Sequence, residues 1–596
     1  MTALLSFILP VIVYSLTMCP TVSSGDSAEL VTNAYQLGLM HPPGYPLYTL
    51  LAKLFTFLPF NTIAWRVNLF SVIAMALSVS FLFLTLNLVI KRSWTSLLLA
   101  LLYGFSTLIW RYALVTEVFA LNQLLLSVFL YLTLALSRTK LPRYFLFMSL
   151  VTGLGLAHHH TFIFVALPLL IWAGLFLQRK INSLIMLKAS MMFILGLSPY
   201  ALLFIFGNNW TLLSWGGVQD LADLFHHILR LDYGLLKLGP QYEGSYFLKN
   251  IAEFIITIQY ESLFILLPLL LISGWSRLKD FNWLSPFLWI LLAFISYIII
   301  FHNLAEINIE DPIYLSVLQR FWLLPYLLLY VLVAASFEFL YKEVFTNNKS
   351  RILVAILSVL VIVQLAMNYQ KNDQSRNWLY RDFARILLSG VDKEGILLVY
   401  GDLDVFTATY MQICEGLRPD VKIVSQSRLS YPWYPKILNN LYPELNFHMQ
   451  EAPINQRASL FILENISHHS IFTGPRNPVM TEDWRKYYYE LPIGFTNKLM
   501  PVDAVPTQAE YIHKSGSIWN DYSWLESALQ QGRGWNIHII KRFYNSEYRR
   551  FDFIMQHYKN IDAVQKKDLK FNLELLMKYY PADAKLNTWW SALDNG

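Results

Sequence analysis

Cysteine is nearly absent: Cys19 and Cys414 are the only two in 596 residues, too few for a disulfide framework and in segments that need not meet in space. Thiol usage therefore leaves the redox compartment open. Charge is scarce as well, with Asp, Glu, Lys and Arg at 14%, which excludes a soluble multidomain reading of so long a chain. The formal net charge of +6 does not mark a nucleic-acid surface, because Lys and Arg stand in short clusters at the ends of apolar runs rather than in one patch. Inside those runs Asp, Glu and Lys are nearly missing, which argues against a proton-coupled carrier with ionisable residues along its path. The first apolar segment, residues 4–18, lacks a charged n-region and a small-residue cleavage site, so it reads as a retained helix.

What the chain has in quantity is apolar surface: 55% hydrophobic and 16% aromatic residues, with a mean hydropathy of +0.41. A bilayer core of about 30 Å takes about 20 apolar residues in a helix. Eleven candidate runs precede residue 370: 2–19, 64–90, 94–110, 114–136, 143–157, 160–177, 183–206, 256–275, 283–301, 316–340 and 351–368. His158, His159 and His160 separate the fifth from the sixth, which would otherwise merge. With the N-terminus inside, every inside loop is short and basic: Lys91 and Arg92; Arg138, Lys140 and Arg143; Arg179 and Lys180; Arg277 and Lys279; Lys342, Lys349 and Arg351. The opposite loops, 20–63, 111–117, the histidine triplet, 207–255 and 302–315, are polar and mostly longer, and an odd number of crossings sends the tail to their side.

The expected fold is thus a polytopic α-helical membrane module over residues 1–369 and a soluble α/β domain over 370–596. In the tail, 394–400 reads as a buried strand, 407–415 as a helix and 421–424 as a second strand. Segments 459–466 (SLFILENI) and 469–474 (HSIFTG) look strand-like, and amphipathic segments follow from about 536 to 580.

The polar residues of the outward loops are the candidate site. GDSAE (residues 25–29) places Asp26 and Glu29 three apart, on one face if a helix begins near Ser24. Such a pair can serve as general base, hold a divalent metal, or cap a helix N-terminus. HPPGYP (residues 41–46) is a proline-fixed turn carrying His41 and Tyr45, ahead of an amphipathic stretch over 47–57 that suits the membrane interface with Lys53 snorkelling. Arg111 and Glu117 flank one helix start, as a surface pair or as a site for an anionic head group. Three adjacent histidines on one helix point about 100° apart, so one or two of them, His159 and His160 above all, would face a cavity rather than form a three-ligand metal site. The loop 207–255 adds Trp215, His226, His227, Arg230, Asp232 and Tyr233, types that suit a phosphate and a sugar ring but also an interfacial aromatic belt. Arg320, inside an apolar run, needs a partner: Glu306, Glu310, Asp311 or a lipid phosphate. In the tail, Asp402 and Asp404 follow a strand, where ligand carboxylates and helix caps both occur.

GDSAE (25–29), HPPGYPL (41–47), HHHT (158–161), GDLDVF (401–406) and EGLRPDV (415–421) resemble the transmembrane protein 260 family of O-mannosyltransferases and its bacterial relatives, over the membrane region and the first part of the tail. HPPGYPL close behind GDSAE is the specific element. The tail after about 430 departs from the animal members. The resemblance implies a type C glycosyltransferase (GT-C) that takes a polyprenyl-phosphate-linked sugar donor and passes the sugar, mannose first, to a hydroxyl of a protein Ser/Thr or a glycan. It implies Asp26 as catalytic base with Glu29 beside it, and no obligatory cofactor, a divalent metal remaining open. Donor and acceptor would be the partners, together with membrane lipid and no nucleic acid. The compact tail favours a bacterial inner membrane with a periplasmic active face over an endoplasmic reticulum membrane with a lumenal one. The competing classes are a lipid-linked sugar flippase or transporter and a non-catalytic membrane receptor.

Overall fold

The computed structural model describes the chain apart from residues 179, 235–245, 279–281, 306, 311, 345–349, 449–451, 476–481, 519–535, 559–560, 562 and 596. Arg179, Lys279, Glu306, Asp311 and Lys349 therefore lie outside the described residues, as does part of the loop 207–255. The chain folds into two compact units. One comprises Met1–Pro20, Asn33–Asn209 and Gly217–Arg376, the other Thr21–Thr32, Trp210–Gly216 and Asn377–Gly596.

The first unit is helical because its sequence is apolar in runs long enough to satisfy every backbone group within a helix, the condition a bilayer imposes. Among the described residues, six helices are long and apolar enough to cross a membrane: Ile63–Ile90, Phe119–Thr139, Ser183–Gly207, Pro286–Ala305, Ile313–Glu343 and Ser350–Asn372. Two bent pairs bring the number to eight if each is one span. The count of eleven is thus not established, although each run read from sequence is helical over most of its length. Apolarity carries no record of a bend. Ser93–Gly104 and Thr107–Ala113 meet at 71°, and the run read as 256–275 straddles a 102° bend between Phe247–Glu261 and the helix that begins at Leu266. Leu263 and Phe264 adopt positive φ there. The two bends are joined: the Glu261 carboxylate accepts from the Leu108 N–H at 3.0 Å, in the first turn of Thr107–Ala113, where helical donors have no partner of their own. Elsewhere small residues set the spacing. A Cβ on Gly153 would lie 2.3 Å from the Phe193 carbonyl, so Pro142–His158 and Ser183–Leu197 pack backbone to backbone.

The second unit is built on a five-stranded sheet in the order β2-β1-β3-β5-β4, with β1 Ile396–Val399, β2 Lys422–Ser425, β3 Ile471–Thr473, β4 Tyr488–Ile493 and β5 Thr496–Pro501. Strand β1 pairs parallel with β2 (Ile396 opposite Lys422) and with β3 (Ile396 opposite Ile471), and β5 continues antiparallel to β3 and β4. The helix Asp402–Cys414 between β1 and β2 completes the expected β-loop-α-β unit. Segment 459–466 is not a strand. It lies largely in the helix Ile454–Asn465, with Ser459, Phe461, Ile462 and Asn465 buried at helical spacing, a case in which a short apolar run fits either periodicity. Helices Asn536–His557, Ala563–Tyr579 and Ala584–Asn595 follow. The stretch Trp210–Gly216 is held in this unit by rings: Trp215 lies 5.4 Å from Tyr431 and 5.6 Å from Trp433, and the Arg428 guanidinium sits 5.1 Å over Trp215.

Candidate active site

The cluster in the first unit starts from the HPPGYP turn. Gly44 at φ +93° and Tyr45 at φ +43° bend the chain into the helix Pro46–Thr56, whose first residue, a proline, has no N–H to lose. Only glycine fits at position 44, because a Cβ would lie 2.7 Å from Leu203 Cδ2 and 3.0 Å from His227 Nε2. His227, on the helix Leu221–Ile228, donates Nε2–H to the Met40 carbonyl at 3.1 Å and so anchors the turn. Burial pushes the His227 pKa down to about 4, against the pull of that carbonyl. Lys53 reaches back to the Tyr35 carbonyl and lies over the Tyr35 and Phe57 rings, the lengthwise placement expected of an interfacial lysine.

From this turn the rings are continuous. Tyr45 meets His41 at 5.3 Å and His159 at 6.3 Å; His159 meets Phe119 at 5.6 Å and Phe321 at 5.8 Å. Arg320 lays its guanidinium 5.7 Å over Phe119 and comes within 3.7 Å of the Glu117 carboxylate, with both side chains largely buried. The three histidines do not share a helix. His158 ends Pro142–His158, His159 is extended at φ −151°, and His160 opens a 3-10 turn. Each has its own partner: His158 the Val118 carbonyl at 2.8 Å, His159 the Thr161 hydroxyl at 2.8 Å, His160 the Tyr200 hydroxyl at 3.2 Å. Nδ1 of His159 also accepts from the Thr161 N–H, which leaves the proton of the neutral ring on Nε2 as a donor.

Two pairings differ from expectation. Glu117 is bound to Arg320 and not to Arg111, whose Nη1 donates to Gln319 Oε1 at 3.2 Å. Glu310, an expected partner of Arg320, is instead bound to Lys249 at 2.6 Å. Arg230 stacks 5.4 Å over Tyr233, and His226 pairs with Asp232 at 2.9 Å. The structure thus brings His41, Tyr45, His159, Glu117 and Arg320 into one run of contacts, while Arg111, His160, Arg230 and Tyr233 have other immediate partners. Phe119 and Phe321, which bridge the run, escaped sequence reasoning because each lies in an apolar stretch. Their only signal was position, two residues after Glu117 and one after Arg320.

Asp26 and Glu29 belong to the second unit. The helix begins at Ser27, not near Ser24, and the Leu30 N–H donates to the Asp26 carbonyl at 2.9 Å, which makes Asp26 the N-cap position. Glu29 falls in the first turn and is fully buried, whereas Asp26 is partly exposed. Of the acids after β1, Asp404 is buried in an ion pair with Arg542, which joins the helices Asp402–Cys414 and Asn536–His557, and Asp402 is exposed at the start of its helix. Among the described residues no group of three or more His, Cys, Asp or Glu is placed to hold a metal ion.

The helical fold with its sheet-bearing tail is that of the GT-C membrane proteins. Over 85% of this chain and 99% of the other, it superposes on ArnT from Cupriavidus metallidurans bound to undecaprenyl phosphate with a TM-score of 0.53 at 12% identity, and on the apo state of that protein with 0.52 at 11%. Within that class, residues 26–183 match the protein O-mannosyl-transferase TMEM260 N-terminal domain and residues 380–451 the TMEM260-associated domain 2. The protein O-mannosyl-transferase tmem260 of Dictyostelium discoideum is 30% identical over 542 residues, 83% of this chain and 66% of that one; that of Mus musculus is 30% identical over 543 residues, 86% and 76% respectively. The chain belongs to the TMEM260 family.

Proposed function

We propose that this chain is a membrane mannosyltransferase that moves the sugar of a polyprenyl-phosphate donor to a hydroxyl of a protein acceptor, with inversion. The observation that carries the reading is the run Tyr45–His159–Phe119–Arg320–Glu117. It combines a guanidinium with little exposure to water, an imidazole N–H and aromatic faces, the groups that hold a phosphate and a sugar ring. Sugar and acceptor follow from the relatives' name, protein O-mannosyl-transferase, and the donor from the undecaprenyl phosphate named with ArnT. The acceptor hydroxyl gives its proton to the Asp26 carboxylate as its oxygen attacks the anomeric carbon from the side opposite the phosphate. The bond from that carbon to the phosphate oxygen breaks, and its electron pair leaves on the lipid monophosphate. That leaving group is stable without a general acid; Arg320, with Arg111 or Arg230, steadies its charge. Glu29 supports Asp26 at the same helix start. The active face is the one opposite the short basic loops, periplasmic in a bacterial inner membrane or lumenal in the endoplasmic reticulum.

The test is transfer of radiolabelled mannose from polyprenyl-phosphate mannose to a membrane extract by the purified chain in detergent. Asp26→Asn is expected to melt as wild type does and to lose about 10²–10⁴-fold in rate. Undiminished transfer by folded Asp26→Asn ends the assignment of the base. Failure of the wild type to transfer from mannose, glucose and arabinose donors alike overturns the transferase reading.

A further inference from the structure

A cavity lies in the first unit, far from the cluster just described. It encloses about 790 Å³ and takes one wall from each of six helices, represented by Val89, Leu134, Phe176, Leu270, Leu291 and Leu332. Such a volume lies within the range of about 300–1,000 Å³ common for ligand sites. Its position follows from the helices. Phe119 of the candidate active site and Arg138 of this cavity are the first and next-to-last residues of one helix, about 29 Å apart at about 1.5 Å per residue, close to a bilayer core of about 30 Å. Val89 and Phe176 likewise stand at the ends of their helices that lead into the short basic loops. The cavity therefore opens at the basic end of the bundle.

Its lining is amphiphilic in a graded way. The walls are aliphatic and aromatic; the polar groups include Ser137 and Arg138 at a helix end, Asn282 and Ser285 in the connection before Pro286–Ala305, Ser273, and the Glu338 carboxylate. Arg138 is exposed and belongs to the loop cluster with Lys140 and Arg143. A guanidinium, a hydroxyl and a carboxamide at the mouth of an apolar chamber match a phosphate diester above a hydrocarbon chain. Glu338 on the same lining opposes a second negative charge and suits an amine-bearing head group. We infer that this cavity binds one membrane phospholipid, an acyl chain inside and its phosphate at Arg138, and that it is a lipid site separate from the one used in catalysis.

Gly274 offers a clean test, because a Cβ there would meet nothing within 4 Å. Gly274→Leu fills the chamber without displacing protein. The full chain is purified in mild detergent with added phosphatidylethanolamine, and bound lipid is counted by native mass spectrometry. The expected result is one retained phosphatidylethanolamine, bound about tenfold more weakly by Gly274→Leu at an unchanged melting temperature, and also weakened by Arg138→Gln. In parallel, a phospholipid with a photoreactive acyl chain is applied to the unaltered protein and should label helices Leu266–Leu278 and Pro286–Ala305. Equal retention by wild type and Gly274→Leu overturns the proposal, as does labelling confined to the opposite end of the bundle. So does selective uptake of undecaprenyl phosphate in place of the phospholipid.

Discussion

Arg320 shows how a single charge is tolerated in an apolar stretch: Glu117 supplies the counter-charge and Phe119 a face for the planar cation. Removing one member of a largely buried pair leaves the other uncompensated, at about 3–5 kcal/mol. Glu117→Gln is therefore expected to lower the melting temperature markedly, and the double variant Glu117→Gln/Arg320→Gln to recover part of the loss. Arg320→Lys keeps the charge but gives up the planar fork, so transfer activity should fall further than stability does. His227 makes a second, pH-dependent case. Its pKa falls from 6.5 to about 4, first by burial, with His41 and His226 lowering it and the Met40 carbonyl and Asp232 raising it. Between those values the unfolded chain binds a proton that the folded chain does not, so this contribution is complete above pH 6.5 and is lost as pH falls towards 4, by about 3 kcal/mol at most. Unfolding midpoints measured from pH 7 to 4 should drop more steeply for wild type than for His227→Gln. The charged positions themselves were legible in the sequence. Their partners were not, because Arg111 is near Glu117 along the chain whereas Arg320 reaches it only through the packing of Phe119 against Phe321.

Among the elements, the HPPGYP turn was legible because proline and glycine fix backbone angles whatever surrounds them. What the sequence did not disclose is that Leu203 and His227 close over Gly44. Gly44→Ala should strain φ and force those side chains apart, displacing Tyr45 relative to His159. We expect transfer to fall by about 10–100-fold, since small misplacements around a reacting centre are costly, while Gly174→Ala, whose Cβ would meet nothing within 4 Å, leaves activity unchanged. Both are read in the mannose-transfer assay beside a thermal melt. The parallel strand β1 was legible as a continuous apolar run and β2 from the Ile-Val pair beside Val421, and both are buried at every position. The hairpin β4–β5 was not: YYELPI and TNKLMP mix Pro, Glu and Lys into weak alternation, and only Gly494 at φ +58° marks the turn between them. The helix Ile454–Asn465 was misread because its apolar residues bunch at one end, and eight residues fit a strand as readily as two helical turns.

For the whole molecule the parity of membrane crossings decides which face each part meets. Eleven crossings send the residues after 372 to the side opposite the N-terminus; the eight that length and composition support, counting each bent pair once, return them to its own side. The difference lies in the shorter apolar helices Thr2–Thr17, Pro142–His158 and His160–Phe176. Composition does not resolve them, because a helix of about 17 residues lies at the lower limit for spanning. Charge constrains two of them as a pair. Lys140 and Lys180 share a face, as the bias of short loops towards Lys and Arg requires, only if Pro142–His158 and His160–Phe176 both cross or both do not. Arg92 and Lys140 then face one side and His226 and Lys436 the other, and Thr2–Thr17 alone sets whether the count is odd. In a chain with Cys19 and Cys414 replaced by serine, single cysteines are placed at the exposed positions Arg92, Lys140, His226 and Lys436 and labelled in sealed vesicles of known orientation with a membrane-impermeant maleimide. We expect Arg92→Cys and Lys140→Cys to react from the cytoplasmic face, and His226→Cys and Lys436→Cys from the opposite one. Labelling of Lys436→Cys together with Lys140→Cys would mean an even number of crossings between them, with only one of Pro142–His158 and His160–Phe176 spanning, and would overturn this topology.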